Sequence, residues 1–190
     1  MTPTARGIPD EFSLDRSGWA QPVVRVPSPN CDARPAGCSI ELVVIHGISL
    51  PPGHFSGQGV EQLFTNSLDY QEHPYYDTLR ALKVSAHFFI RRNGAVVQFV
   101  PCNLRAWHAG ASTWCGRTRC NDFSIGIELE GTDDCAYESR QYELCNALLH
   151  SLARAYPLKA AVGHCDIAPD RKTDPGPAFD WARIRALPRV

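Results

Sequence analysis

The first strong apolar run, Ile40-Glu41-Leu42-Val43-Val44-Ile45, is rich in β-branched residues and broken by a single charge. That pattern predicts a strand buried on both faces. His46 and Gly47 follow it directly, then a Pro- and Gly-rich loop from Ile48 to Gly59. Ser124 to Glu130 alternates instead, with Ile125, Ile127 and Leu129 on one side and Gly126, Glu128 and Glu130 on the other. His87 to Arg91 and Ala95 to Val100 read as two further strands, joined at Asn93-Gly94 by a tight primed turn. Lys159 to Gly163 reads as a short strand that delivers His164. Helical spacing appears at Val60, Leu63, Phe64, Ser67 and Leu68, and again from Tyr76 to Lys83. Tyr142, Cys145, Leu149, Leu152 and Tyr156 mark the best helix, which should end before Pro157. Phe179 to Leu187 predicts a closing helix, and residues 101–123 a long loop of the kind usually kept for function.

This order predicts an α/β chain: a single domain with a mixed central β-sheet flanked by helices. Pro22, Pro27 and Pro29 exclude a long helix near the start, so residues 1–21 are expected to form an irregular arm and residues 22–190 the domain. Ligands in such sheets sit beyond strand ends, and His46, Glu128 and His164 all fall on or just after strands. They are expected to meet at one rim.

Composition narrows the function classes. A chain of 190 residues with 44% hydrophobic content can bury one sizeable core. Nineteen basic against twenty acidic residues leave a net charge of −1, which argues against nucleic acid as a partner. Neither a signal-peptide core nor an apolar run of membrane-spanning length is found, so the expected location is the cytoplasm, away from membranes. The eight cysteines include no Cys-x-x-Cys pair and are too sparse for a disulfide scaffold, which suits reduced thiols; Cys145 fits a small core residue.

The densest chemistry lies in Gly163 to Pro177, which holds a histidine, three aspartates, a lysine and an arginine between prolines and glycines. It reads as a fixed loop. His164 and Asp174 converge only if that loop folds back, and one further histidine would complete an open two-His, one-carboxylate zinc site. His46 is one candidate, while His87 and His108 remain rivals for ligand, outer-shell or substrate roles. Each histidine can equally be a hydrogen-bonded structural residue. Glu128 is either on a solvated face, as Glu130 would also be, or turned to the metal as a proton acceptor. Lys172 is either a solvated loop lysine or an oxyanion partner.

Several segments together resolve these alternatives by resemblance. They are Glu41 to Gly53, Val84 to His87, Arg105 to Gly110, Asn121 to Thr132, and Gly163 to Pro177 with Phe179 to Arg183. Over about residues 22–187 the chain resembles the zinc-dependent N-acetylmuramoyl-L-alanine amidases of the type 2 family, most closely the cytoplasmic branch acting on 1,6-anhydro-muropeptides. The resemblance implies Zn2+ held by His46, His164 and Asp174, with Glu128 as general base and Lys172 stabilising the transition state. It further implies substrate contacts at Tyr75, Lys83, Trp107 and Arg119. Two residues depart from the family pattern: Gly47 stands where asparagine is expected and Lys83 where arginine is expected. A lysine there would meet a carboxylate as a point charge and not as a fork.

The expected reaction is hydrolysis of the amide between 1,6-anhydro-N-acetylmuramic acid and L-alanine during peptidoglycan recycling, by a monomer. Two alternatives are an exported amidase acting on intact peptidoglycan and a module that binds fragments without cutting them. The complete ligand set, Glu128 and Lys172 speak against the second.

Overall fold

In the computed structural model, which describes residues 11–189, strand β5 (Leu42–Ile48) lies between β11 (Ser124–Glu130) and β12 (Ala160–Gly163), parallel to both. Both long strands are inside the sheet, which explains why Leu42 to Ile45 have no exposed surface. The sheet continues through β6 (Phe88–Ile90), β7 (Val96–Gln98) and β3 (Val24–Arg25), in the order β12-β5-β11-β6-β7-β3. Only β6 and β7 pair antiparallel, so the sheet is mixed as expected. Their hairpin closes through a three-residue loop, Arg92–Gly94, with only Gly94 left-handed, and not through a two-residue primed turn.

The alternation in β11 separates two cores. Ile125, Ile127 and Leu129 join Val43, Ile45, Phe88 and Ile90 beneath α2 (Ser139–Ala155), whose Tyr142, Cys145, Leu149 and Leu152 cover that face. Each such aliphatic side chain contributes roughly 1.5–3 kcal/mol by leaving water. Gln141 fixes where this helix starts: its amide donates to Ile90 O at 3.0 Å and Glu130 O at 3.1 Å. The opposite face is covered in two parts. One half packs on the short α1 (Gly59–Phe64) and a 3₁₀ turn over Pro74–Leu79, where a helix to Lys83 was expected. The other half packs Leu42, Val44 and Val162 against Phe123, Cys120 and Ile167. The catalytic candidates stand on this second face.

Several segments are more or less regular than their sequence suggests. Within the expected arm, Ser13–Leu14 (β1) and Ala20–Gln21 (β2) form a hairpin, and Phe12 is buried; residues 1–10 and Val190 lie outside the described residues. The expected loop 101–123 contains β8 (Leu104–Ala106), paired with β4 (Cys31–Ala33), and a hairpin of β9 (Thr113–Trp114) and β10 (Arg117–Thr118). Arg34 pins this region by donating to the carbonyls of Cys102, Asn121, Asp122 and Ser124 at 2.8–3.2 Å. No periodicity signals a single long-range clamp of that kind. The closing helix is reduced to a 3₁₀ turn at Trp181–Arg183. Its backbone is satisfied by Asn146, which donates to Arg183 O and accepts from Arg185 N. All eight cysteines are free, and Cys145 is a core residue.

Candidate metal centre and catalytic cavity

The parallel register sets Glu128 directly beside His46 on the face away from α2. In β12, Gly163 aligns with Ile45, so the next residue, His164, reaches the row of His46. His164 opens a single helical turn, α3 (His164–Ile167), where an uninterrupted loop was expected. Lys172 N and Arg171 N bond back to Ala168 O, and Cys165 N bonds to Asp174 O at 3.0 Å. That last bond closes the fold-back and sets Asp174 against His164.

Three ligand atoms converge there. His46 Nδ1 lies 3.0 Å from His164 Nδ1 and 3.0 Å from Asp174 Oδ2, and His164 Nδ1 lies 3.2 Å from the same oxygen. Both histidines are buried and Asp174 is partly so. Tetrahedral donors about 2.1 Å from an ion stand roughly 3.4 Å apart, so two imidazoles and a carboxylate at this spacing fit zinc with little adjustment. This is the one cluster of three or more such groups among the described residues that is close enough to hold a metal.

Glu128 shares the site. It is 7% exposed, and its buried Oε2 has no hydrogen-bond partner. Burial, with Asp174 adding repulsion, pushes its carboxyl well above the usual range, against the pull of Lys172. Glu130 is also buried, contrary to a solvated face: it accepts from Ser56 N and Arg92 N, and so holds the loop before α1. A cavity of about 540 Å³ opens over the centre, lined by His46, His164, Asp174, Glu128, Lys172 and Tyr75 among others. Lys83, Trp107 and Arg119 are not in that lining. Lys83 is exposed, Trp107 is half-buried, and Arg119 reaches Asp122 at 3.0 Å with 69% of its side chain exposed.

Tyr137 carries no motif and was not anticipated. Its hydroxyl donates to Pro175 O at 2.9 Å, bracing the chain just after Asp174. It also accounts for Gly47, because a Cβ at that position would lie 2.2 Å from the hydroxyl oxygen. The side chain missing at position 47 is therefore replaced in space by Tyr137.

Behind the centre, the rings of His46, His108 and His87 form a row, with centroids 5.1 and 5.8 Å apart. Burial pushes the His87 imidazole down to about 3, helped by Arg34, and the His46 imidazole down to about 4. Both are neutral in the fold and gain a proton near 6.5 when unfolded, so the unfolded chain binds more protons between these limits. Their contribution to stability is complete above about pH 6.5 and falls as the pH drops, by on the order of 1.4 kcal/mol per pH unit for each group. Denaturant unfolding of metal-free protein between pH 7.5 and pH 4.5 is expected to show this decline. His87→Gln should make it shallower by about one proton; an unchanged slope would exclude His87 as a source.

A profile of the N-acetylmuramoyl-L-alanine amidases matches residues 36–177. The 1,6-anhydro-N-acetylmuramyl-L-alanine amidase AmpD of Escherichia coli (strain K12) is 56% identical over 176 residues, covering 92% of this chain and 96% of that protein. The crystal structure of a selenomethionine AmpD derivative superposes with a TM-score of 0.87 at 54% identity, over 92% of this chain and 98% of the other. The amidase AmiD from E. coli, solved with anhydro-N-acetylmuramic acid-L-Ala-D-γ-Glu-L-Lys, gives a TM-score of 0.55 at 28% identity, over 93% of this chain and 65% of that one.

Proposed function

Because the chain belongs to the N-acetylmuramoyl-L-alanine amidase family, we propose that its cavity cleaves anhydro-muropeptides with a zinc ion held by His46, His164 and Asp174. The protein is an amidase that hydrolyses the bond between 1,6-anhydro-N-acetylmuramic acid and L-alanine in peptidoglycan recycling. The observation that carries the metal reading is the convergence of two imidazole nitrogens and a carboxylate oxygen within 3.0–3.2 Å, beside a buried and unpartnered Glu128 oxygen.

Zinc bound there would polarise the scissile carbonyl, acidify the attacking water and oppose the burial that raises the Glu128 carboxyl. Glu128 accepts the proton of that water at its free Oε2 and passes it to the departing amine of L-alanine. Lys172, in the cavity lining, sets its ammonium towards the oxyanion that develops on the carbonyl. Tyr75 lines the same cavity and packs against substrate there. Lys83, Trp107 and Arg119 contact the sugar and stem peptide further out, which for Arg119 requires giving up Asp122 to take a peptide carboxylate. No described helix is long and apolar enough to cross a membrane. We place the enzyme in the cytoplasm, a reducing compartment that suits eight unpaired thiols.

Mass spectrometry of products from purified anhydro-muropeptide and from polymeric peptidoglycan tests this reading. The expected result is release of a peptide with a free N-terminal L-alanine from the anhydro-muropeptide, abolished by chelator and restored by zinc. Cleavage of the polymer alone would favour a wall-degrading amidase. Binding of the fragment without cleavage would favour a recognition module.

A further inference from the structure

His46 is tied to the sheet by a chain of hydrogen bonds through His108, which also lines the cavity, to strand β11. Its Nε2 meets His108 Nδ1 at 2.9 Å, and His108 Nε2 meets Ser124 Oγ at 3.2 Å. Ser124 Oγ then meets the carbonyl of Cys120 at 2.6 Å. All three side chains are at most 9% exposed, so water does not compete for these contacts.

The direction of the chain follows from its last link. A carbonyl only accepts, and two oxygens 2.6 Å apart need a proton between them, so the single hydroxyl hydrogen of Ser124 points to Cys120 O. Ser124 can then only accept from His108, which puts the His108 hydrogen on Nε2. A neutral imidazole carries one such hydrogen, so His108 Nδ1 accepts from His46 Nε2. His46 is left with a bare lone pair on Nδ1, the atom facing His164 and Asp174. His164 reaches the same state more simply, with Nε2 against the carbonyl of Ala109 at 3.2 Å.

We propose that His108 and Ser124 are positioning residues that fix the His46 tautomer, and thereby present Nδ1 unprotonated to the metal. Three lone pairs then converge within 3.0–3.2 Å, an arrangement that a cation relieves. Gly126 belongs to the device: a Cβ there would lie 2.5 Å from His108 Cγ, so the ring sits flat on strand β11 only because that residue lacks a side chain. Outer-shell partners of this kind set ring orientation and ligand basicity, and their loss costs about 10–100-fold in metal affinity.

The inference rests on reading the three ligands as a metal centre, and the test separates the two. Zinc affinity is measured by chelator competition for the wild type, Ser124→Ala, His108→Leu and His108→Asn. Ring ¹⁵N NMR of the metal-free proteins gives the His46 tautomer directly. Wild type should bind zinc and carry its His46 hydrogen on Nε2. Ser124→Ala and His108→Leu should bind about 10–100-fold more weakly. His108→Asn should recover most of the affinity, since its side-chain oxygen can accept from His46 Nε2. A packing role would rank the variants the other way, because leucine fills the ring's volume better than asparagine.

If the wild type binds no zinc, the metal reading itself falls, and this inference with it. If it binds and the variants match it, or asparagine does no better than leucine, only the positioning role is overturned. Should His108→Leu fail to fold, Ser124→Ala removes a single hydroxyl and still decides the matter by its His46 tautomer.

Discussion

Glu128→Gln is expected to reduce turnover of anhydro-muropeptide by about 10²–10⁴-fold, the range supplied by a positioned general acid–base. Metal content should remain that of the wild type, because Glu128 is not among the three converging ligands. The physical basis is the environment of Oε2, buried without a partner and pushed towards the protonated state by desolvation. A carboxyl left unpaired in a core costs stability and persists where it meets a ligand or a proton in function. Glutamine keeps the shape and removes the proton acceptor, so the folded variant should be as stable as the wild type or more so. Turnover by chromatography and metal by elemental analysis, on one preparation, give both numbers. Near-normal activity in a zinc-loaded variant would remove Glu128 from the mechanism.

His164→Ala should have the second large effect, through binding and not through proton transfer. It deletes one of three ligand atoms and leaves His46 Nδ1 and Asp174 Oδ2 alone. Zinc affinity should fall by more than the roughly 10–100-fold expected for loss of an outer-shell partner, and activity should follow. A ligand that binds only the folded state stabilises it by about 2.7 kcal/mol at a hundredfold excess over Kd. Wild-type protein should therefore melt higher with zinc than with chelator, whereas the variant should melt alike in both. A zinc-dependent rise in the variant matching the wild type would place the metal elsewhere.

What the sequence made legible was the part carried by pattern. The apolar run before His46 and the alternation in β11 located two central strands and the sides their residues take. Fold-back of the Gly163 to Pro177 segment was inferable as a need, but not its cause, the backbone bond from Cys165 to Asp174. Side chains that act across long separations left no local trace. Arg34 holds the region around residues 102–124, and Tyr137 fills the space beside Gly47, yet neither lies in a pattern of period two or 3.6. Glu130 shows the opposite error: its place in an alternating strand suggests solvent, but the loop at Ser56 closes over it. The short closing turn escaped because the helical spacing after Phe179 is real, while Asn146 offers its backbone other partners.

The pairing of β5 with β11 carries one more consequence. The alignment of His46 with Glu128 depends on a parallel register in which successive residues face opposite sides of the sheet. Sliding either strand by one position would turn its reactive side chain into the apolar layer under α2. Such a slip would take His46 or Glu128 out of the cavity and set it against apolar side chains. The register that seats the apolar residues of β11 under α2 is thus the same one that brings His46 and Glu128 to the cavity, so packing and site assembly are set in one step.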